Sequence, residues 1–122
     1  MTVPPADATQ TIRRAAEVMR KTLAELRDEM ATGDYWACDH PDATPDEIWT
    51  SGVVDGLGGE AGSYAGSWTP TVALLVAGLL DAIAADIDAV MADHGGAWFG
   101  TVPAEWSAAH DLATAYLKET AR

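Results

Sequence analysis

Apolar residues recur along three stretches of the chain at the three- and four-residue intervals of an amphipathic helix. In the first stretch they step by 4, 3, 4, 3 and 4 through Ile12, Ala16, Met19, Leu23, Leu26 and Met30. This spacing predicts a helix over residues 8–32 with one continuous apolar seam. Asp7 in front of the stretch is a typical N-cap residue, and Gly33 behind it is a typical C′ residue.

Two further helices are predicted in the second half of the chain. Thr69 and Pro70 form a strong start signal for a helix over 70–93, and Gly95 and Gly96 end it. Its apolar positions cluster on one face, with Asp81 and Asp88 nearly opposite: Val72, Val76, Leu79, Leu80, Ile83, Ile87, Val90 and Met91. The last helix is predicted over 103–121, with an apolar face formed by Trp106, Ala109, Ala113, Tyr116 and Leu117.

The region 34–69, between the first and the second predicted helix, has no helical periodicity over a comparable length. Aromatic and β-branched residues at 35–38, 47–50 and 52–55 favour short strands. The glycine-rich segment 56–62 resembles a phosphate-binding loop only weakly, because Asp55 and Glu60 would repel a phosphate. We interpret that segment as a flexible turn, and one or two helical turns are expected over 60–68.

These elements predict an α+β fold in a single small acidic domain over residues 1–122. Three helices would pack on a small antiparallel sheet of two or three short strands. The alternative is an all-α bundle with a structured middle loop. Packing of the two long helices on each other within one chain explains their apolar seams, and a homodimer stays open.

The charge distribution narrows the possible partners. The chain contains nineteen acidic and seven basic residues, for a formal net charge of −12, and residues 33–117 contain no Lys or Arg. Direct binding to nucleic acid or to an anionic membrane requires such bases, so neither is expected. No apolar run is long enough to span a bilayer, and the first residues lack the pattern of a signal peptide.

The residues that carry chemistry in enzymes and metal sites form no recognisable constellation here. Cys38, Asp39 and His40 are adjacent, and neighbouring side chains on a strand point to opposite faces. Neither His94 nor His110 has a Ser or Cys partner at a recognisable spacing, so a catalytic triad is not supported. We therefore predict no enzyme activity, no cofactor and no metal. A single cysteine favours a reducing compartment, so a cytoplasmic location is expected.

The exposed acids are the leading candidates for partner binding. We predict that a basic surface on another protein is bound by Asp39, Asp42, Asp46, Glu47, Asp81 and Asp88. Trp36, Trp49 and Trp98 are possible aromatic anchors, whereas Trp68 and Trp106 are expected in the core. In one alternative the acids only keep the chain soluble. In another, the aromatic, glycine-rich middle binds a small ligand or nucleotide as a sponge.

Short motifs spread over most of the chain resemble a family of small uncharacterised proteins from actinobacteria and their phages. They are Ala15-Ala16-Glu17-Val18-Met19-Arg20, Gly33-Asp34-Tyr35-Trp36, Val53-Val54-Asp55-Gly56, Ser67-Trp68-Thr69-Pro70 and Ala113-Thr114-Ala115-Tyr116-Leu117. The family's Gly-Pro-Trp element lacks its proline here. The resemblance implies no activity, but it implies a phage-type accessory protein in a bacterial host cell. Such a protein would inhibit or modulate a host macromolecule, for example as an anti-CRISPR-like or nucleic-acid-mimicking anti-defence inhibitor.

Overall fold

The fold is built from helices. The computed structural model describes residues 5–32, 36, 42–96 and 100–120. Five helices follow one another in the chain: α1 (Pro5–Thr32), α2 (Pro45–Leu57), α3 (Gly59–Ser67), α4 (Pro70–Asp93) and α5 (Ala104–Thr120). None of the described residues lies in a β-strand. The predicted α+β fold with a small sheet is therefore wrong, and the all-α alternative fits.

The error arose in the middle of the chain, where two of the three predicted strands belong to α2. The Thr44 hydroxyl accepts a hydrogen bond from the backbone N–H of Glu47 at 3.2 Å. The Glu47 side chain in turn accepts one from the backbone N–H of Thr44 at 3.4 Å, and Pro45 occupies the first turn. This capping box starts a helix strongly enough to outweigh the strand preference of the valines and aromatics behind it. The third strand candidate, 35–38, lies outside the described residues apart from Trp36.

The chain divides into two compact units, and α1 and α4 each contribute residues to both. The first unit comprises residues 1–19 and 76–122. Its core is formed by Ala8, Ile12, Ala15, Ala16, Met19, Ala77, Leu80, Ala84, Ile87, Trp106, Ala109 and Ala113. The second unit, residues 20–75, buries Leu23, Met30, Val53, Pro70 and Ala73. The single domain predicted over 1–122 stays a prediction, since two compact units can also fold cooperatively as one domain.

The buried face of α4 is rotated from the predicted one toward its alanines. Ala77, Leu80, Ala84 and Ile87 are almost completely buried, whereas Leu79 is 57% exposed. The neighbouring core residues Ala15, Ala16, Ala109 and Ala113 are small as well. Small side chains let helices approach closely, so an alanine-rich face is buried in preference to one that carries larger apolar residues.

The ends of α4 lie at the predicted residues, and hydrogen bonds account for both. At its start the Thr69 hydroxyl accepts from the N–H of Val72 at 3.3 Å. At its end the N–H of Gly96 donates to the carbonyl of Met91 at 2.8 Å, and Gly95 has a φ of 65°. This is a Schellman motif, which needs a left-handed residue such as glycine at C′. α1 and α5 also begin and end within three residues of their predicted bounds.

Candidate functional site

Most of the acids predicted to bind a partner make contacts within the chain. Asp42 is exposed, and Asp81 is half-buried. Glu47 takes part in the capping box of α2, and Asp88 pairs with Arg13 at 2.6 Å. Asp39 lies outside the described residues. The binding of a partner by these acids stays a prediction.

Asp46 caps the start of α4, although it lies twenty-five residues before Thr71 in the sequence. Its carboxylate accepts a hydrogen bond from the backbone N–H of Thr71 at 3.0 Å. Hydrogen bonding from the Thr71 side chain and backbone, aided by Thr69 and the charge of Arg27, holds the pKa of Asp46 below its usual range, although partial burial works in the opposite direction. A carboxylate at a helix N-terminus satisfies an otherwise unpaired N–H and favours the helix dipole. Asp46 is thus a structural cap.

This cap predicts a pH-dependent contribution to stability. Because the pKa of Asp46 is lowered in the folded chain, its stabilisation is present above the unfolded value of about 3.9 and is lost as the pH falls through the folded value. We expect Asp46→Ala to lower the free energy of unfolding by about 1 kcal/mol near neutral pH. That difference from the unmodified chain should shrink on acidification in urea-unfolding experiments. Asp42→Ala, at an exposed residue, is the control, and an equal loss from it would contradict the capping role of Asp46.

α2 and α3 pack tightly through two glycines. A Cβ on Gly62 would lie 3.1 Å from the Val54 carbonyl oxygen, and a Cβ on Gly66 would lie 3.0 Å from Val54 Cγ2. The Thr50 hydroxyl donates to the carbonyl of Gly66 at 3.2 Å. Gly58, with a φ of 68°, forms the turn between the helices. The segment 56–62 interpreted as a flexible turn is therefore largely helical, and Gly62 at its end is buried against α2.

Two of the predicted aromatic anchors are used inside this second unit. Trp36 stacks on Trp49 with ring centroids 5.7 Å apart and an interplanar angle of 17°. The indole N–H of Trp49 donates to the carbonyl of Ala65 at 3.1 Å. Both rings are half-buried, and Trp98 lies outside the described residues. In the first unit, Trp106 is 3% exposed, as predicted for a core residue, and its indole N–H donates to Asp86 at 3.0 Å.

The aromatic residues that the structure exposes are ones that sequence reasoning did not select. Tyr64 is 82% exposed and Trp68 is 50% exposed. Both follow Glu60 at four-residue intervals, so the three side chains form one row along α3 and its C-cap residue. Trp68 was expected in the core because it precedes an apolar helix. The spacing of Gly62 and Gly66 was the usable signal, since a packed glycine face places Tyr64 on the opposite side of the helix.

The described part of the chain shows neither a metal-binding cluster nor a membrane-spanning helix, and a depression in its surface is acidic. An open depression of about 390 Å³ is lined by Asp46, Glu47, Thr50 and Ser51, and its two acids would repel a phosphate. The described residues contain no group of three His, Cys, Asp or Glu side chains able to hold a metal ion. Among the described helices, none has the length and apolar character needed to cross a membrane.

Comparison with known proteins adds no relative. No protein-family model, no curated protein and no solved structure matches the chain.

Proposed function

We propose that this chain is a non-enzymatic binding protein that engages a basic surface on another protein. One observation carries this proposal. Residues 42–117 hold eleven acids and no Lys or Arg, and nine of these acids are exposed: Asp42, Glu47, Asp55, Glu60, Asp86, Asp88, Asp93, Glu105 and Asp111. A surface of one sign attracts a partner of the opposite sign and accelerates their association in low salt.

Both compact units carry this charge. Residues 20–75 contain ten acids and three bases, and the remaining residues contain nine acids and four bases. The acids far outnumber the few ion pairs available to them, such as the one between Arg13 and Asp88. A negative potential thus extends into solvent and is available to a partner.

The resemblance described above supplies a biological setting for this proposal. We infer a phage-type accessory protein that acts in the cytoplasm of a bacterial host and inhibits or modulates a host macromolecule. An anti-defence inhibitor that imitates the charge of nucleic acid fits this setting, because nucleic-acid-binding proteins present clusters of Lys and Arg.

The proposal predicts a salt-dependent partner. Tagged protein incubated with actinobacterial lysate should retain proteins with basic surfaces at low salt and release them at high salt, because salt screens surface charges. A variant with Asp55→Asn, Glu60→Gln and Asp111→Asn, whose acids are exposed, should retain markedly less. Mass spectrometry identifies what is bound. The proposal would be contradicted if the amount of protein retained changed neither with the salt concentration nor with the substitutions. A nucleotide released on heating the purified protein would instead favour the sponge.

A further inference from the structure

We propose that the outward face of α3, formed by Glu60, Tyr64 and Trp68, binds an arginine-bearing segment of the partner. This inference rests on the proposed function and assigns it a contact surface. The three side chains lie at four-residue intervals, and all three are exposed. On a helix such positions form a continuous row, so a partner can touch a carboxylate, a phenol and an indole together.

The row lies opposite the face by which α3 is held. Gly62 and Gly66 face Val54 at contact distance, and the carbonyls of Ala65 and Gly66 accept hydrogen bonds from Trp49 and Thr50. Close backbone packing and two side-chain hydrogen bonds fix the orientation of α3. Tyr64 is therefore presented from a helix of fixed orientation and Trp68 from the residue that caps this helix, which reduces the entropy lost on binding.

The charge around the row selects the kind of partner. Asp55 and Leu57, near the C-terminal end of α2, are exposed as well, with Leu57 63% exposed. No Lys or Arg occurs in the sequence from residue 33 to residue 117. A two-fold contact of this row with its own copy would bring the same acids face to face, and nucleic acid or an anionic membrane would be repelled. A cationic protein segment is the occupant that this surface favours.

Arginine suits the row better than lysine does. A guanidinium stacks on the faces of Trp and Tyr and offers its planar fork to a carboxylate. Glu60 lies one helical turn before Tyr64, and Trp68 lies one turn after it. An arginine stacked on the Tyr64 ring thus lies close to the Glu60 carboxylate, which can accept its hydrogen bonds, and charge-assisted bonds of this kind are the strong ones. Lysine, a compact and strongly hydrated charge, gains less from the same surface.

The test uses nona-arginine and nona-lysine peptides as probes, with binding to the full chain followed by fluorescence anisotropy. We expect nona-arginine to bind more tightly than nona-lysine. The double variant Tyr64→Ala, Trp68→Ala should weaken nona-arginine binding about tenfold. Leu79→Ala together with Leu112→Ala, at exposed apolar residues of the first unit, is the matched control and should bind as the unmodified chain does. Circular dichroism verifies that each variant keeps its helices.

A second pair of variants distinguishes the effect of the row on binding from the effect of the chain's net charge. Glu60→Gln and Asp111→Asn each remove one exposed negative charge, and only Glu60 lies on the row. We expect Glu60→Gln to weaken nona-arginine binding more. The inference would be overturned by any one of three results, each of which leaves the proposed function standing. These are equal effects of Glu60→Gln and Asp111→Asn, equal binding of the two peptides, and unchanged binding by the aromatic double variant. Failure of both peptides to bind at low salt would contradict both proposals.

Discussion

Leu80→Ala is expected to lower the free energy of unfolding by about 2–5 kcal/mol. Leu79→Ala, one residue earlier on α4, is expected to change it by less than about 1 kcal/mol. Leu80 is 1% exposed, so truncation removes apolar contacts and leaves a cavity. Leu79 is 57% exposed, and alanine is the best helix former. Urea unfolding followed by far-ultraviolet circular dichroism measures both values.

The same pair of variants tests which face of α4 is buried. The spacing of large apolar residues places Leu79 and Leu80 in one stripe, whereas the structure buries Leu80 beside Ala77 and Ala84. Comparable losses from the two substitutions would contradict the rotated face. A small loss from Leu80→Ala would contradict its place in the core.

Gly62→Ala is expected to lower the free energy of unfolding by about 1–2 kcal/mol, although alanine favours helices more than glycine does. The added methyl group would lie 3.1 Å from the carbonyl oxygen and 3.2 Å from the Cα of Val54. Both are backbone atoms that move only with α2 as a whole. The steric cost therefore exceeds the gain of about 1 kcal/mol in helix propensity.

Gly78→Ala is the control for this substitution. Gly78 is exposed inside α4, and a Cβ there meets no atom within 4 Å. Nothing opposes the helix preference of alanine, so the variant should gain about 1 kcal/mol in urea unfolding. Opposite signs for the two variants support close packing of α2 on α3. A stabilising effect of Gly62→Ala would refute it.

The sequence was most informative where periodicity and end signals agree. The seam of α1 is buried from Ile12 to Met30, with Leu26 half-buried, and α4 begins and ends where its threonine, proline and glycines predict. Periodicity located α1, α4 and α5, but it did not locate the buried face of α4. Alanine carries little weight in a pattern of large apolar residues, yet close helix packing depends on it.

The prediction of strands in the middle of the chain is wrong because the helix-start signal there outweighs the strand preference of individual residues. The β-branched pair Val53 and Val54 favours a strand. Thr44 and Glu47 already supply the spacing of a capping box, with Pro45 between them. The contact of α2 with α3 and the cap by Asp46 join residues remote in sequence, and neither follows from local patterns. The orientation of the exposed row on α3 follows from the contact of α2 with α3, for which the spacing of Gly62 and Gly66 is the signal in the sequence.

The hydrogen bond between Asp46 and Thr71 also has a consequence for local opening. Amide hydrogens in the first turn of a helix ordinarily exchange freely with solvent, because they have no intrahelical acceptor. The Thr71 amide hydrogen is held by a carboxylate twenty-five residues earlier, at the start of α2. Its exchange therefore requires this hydrogen bond to break, either by rotation of the Asp46 side chain or by separation of the two helix starts. The protection of this one amide thus reports on the contact between the beginnings of α2 and α4, and fraying of the first turn of α4 breaks that contact.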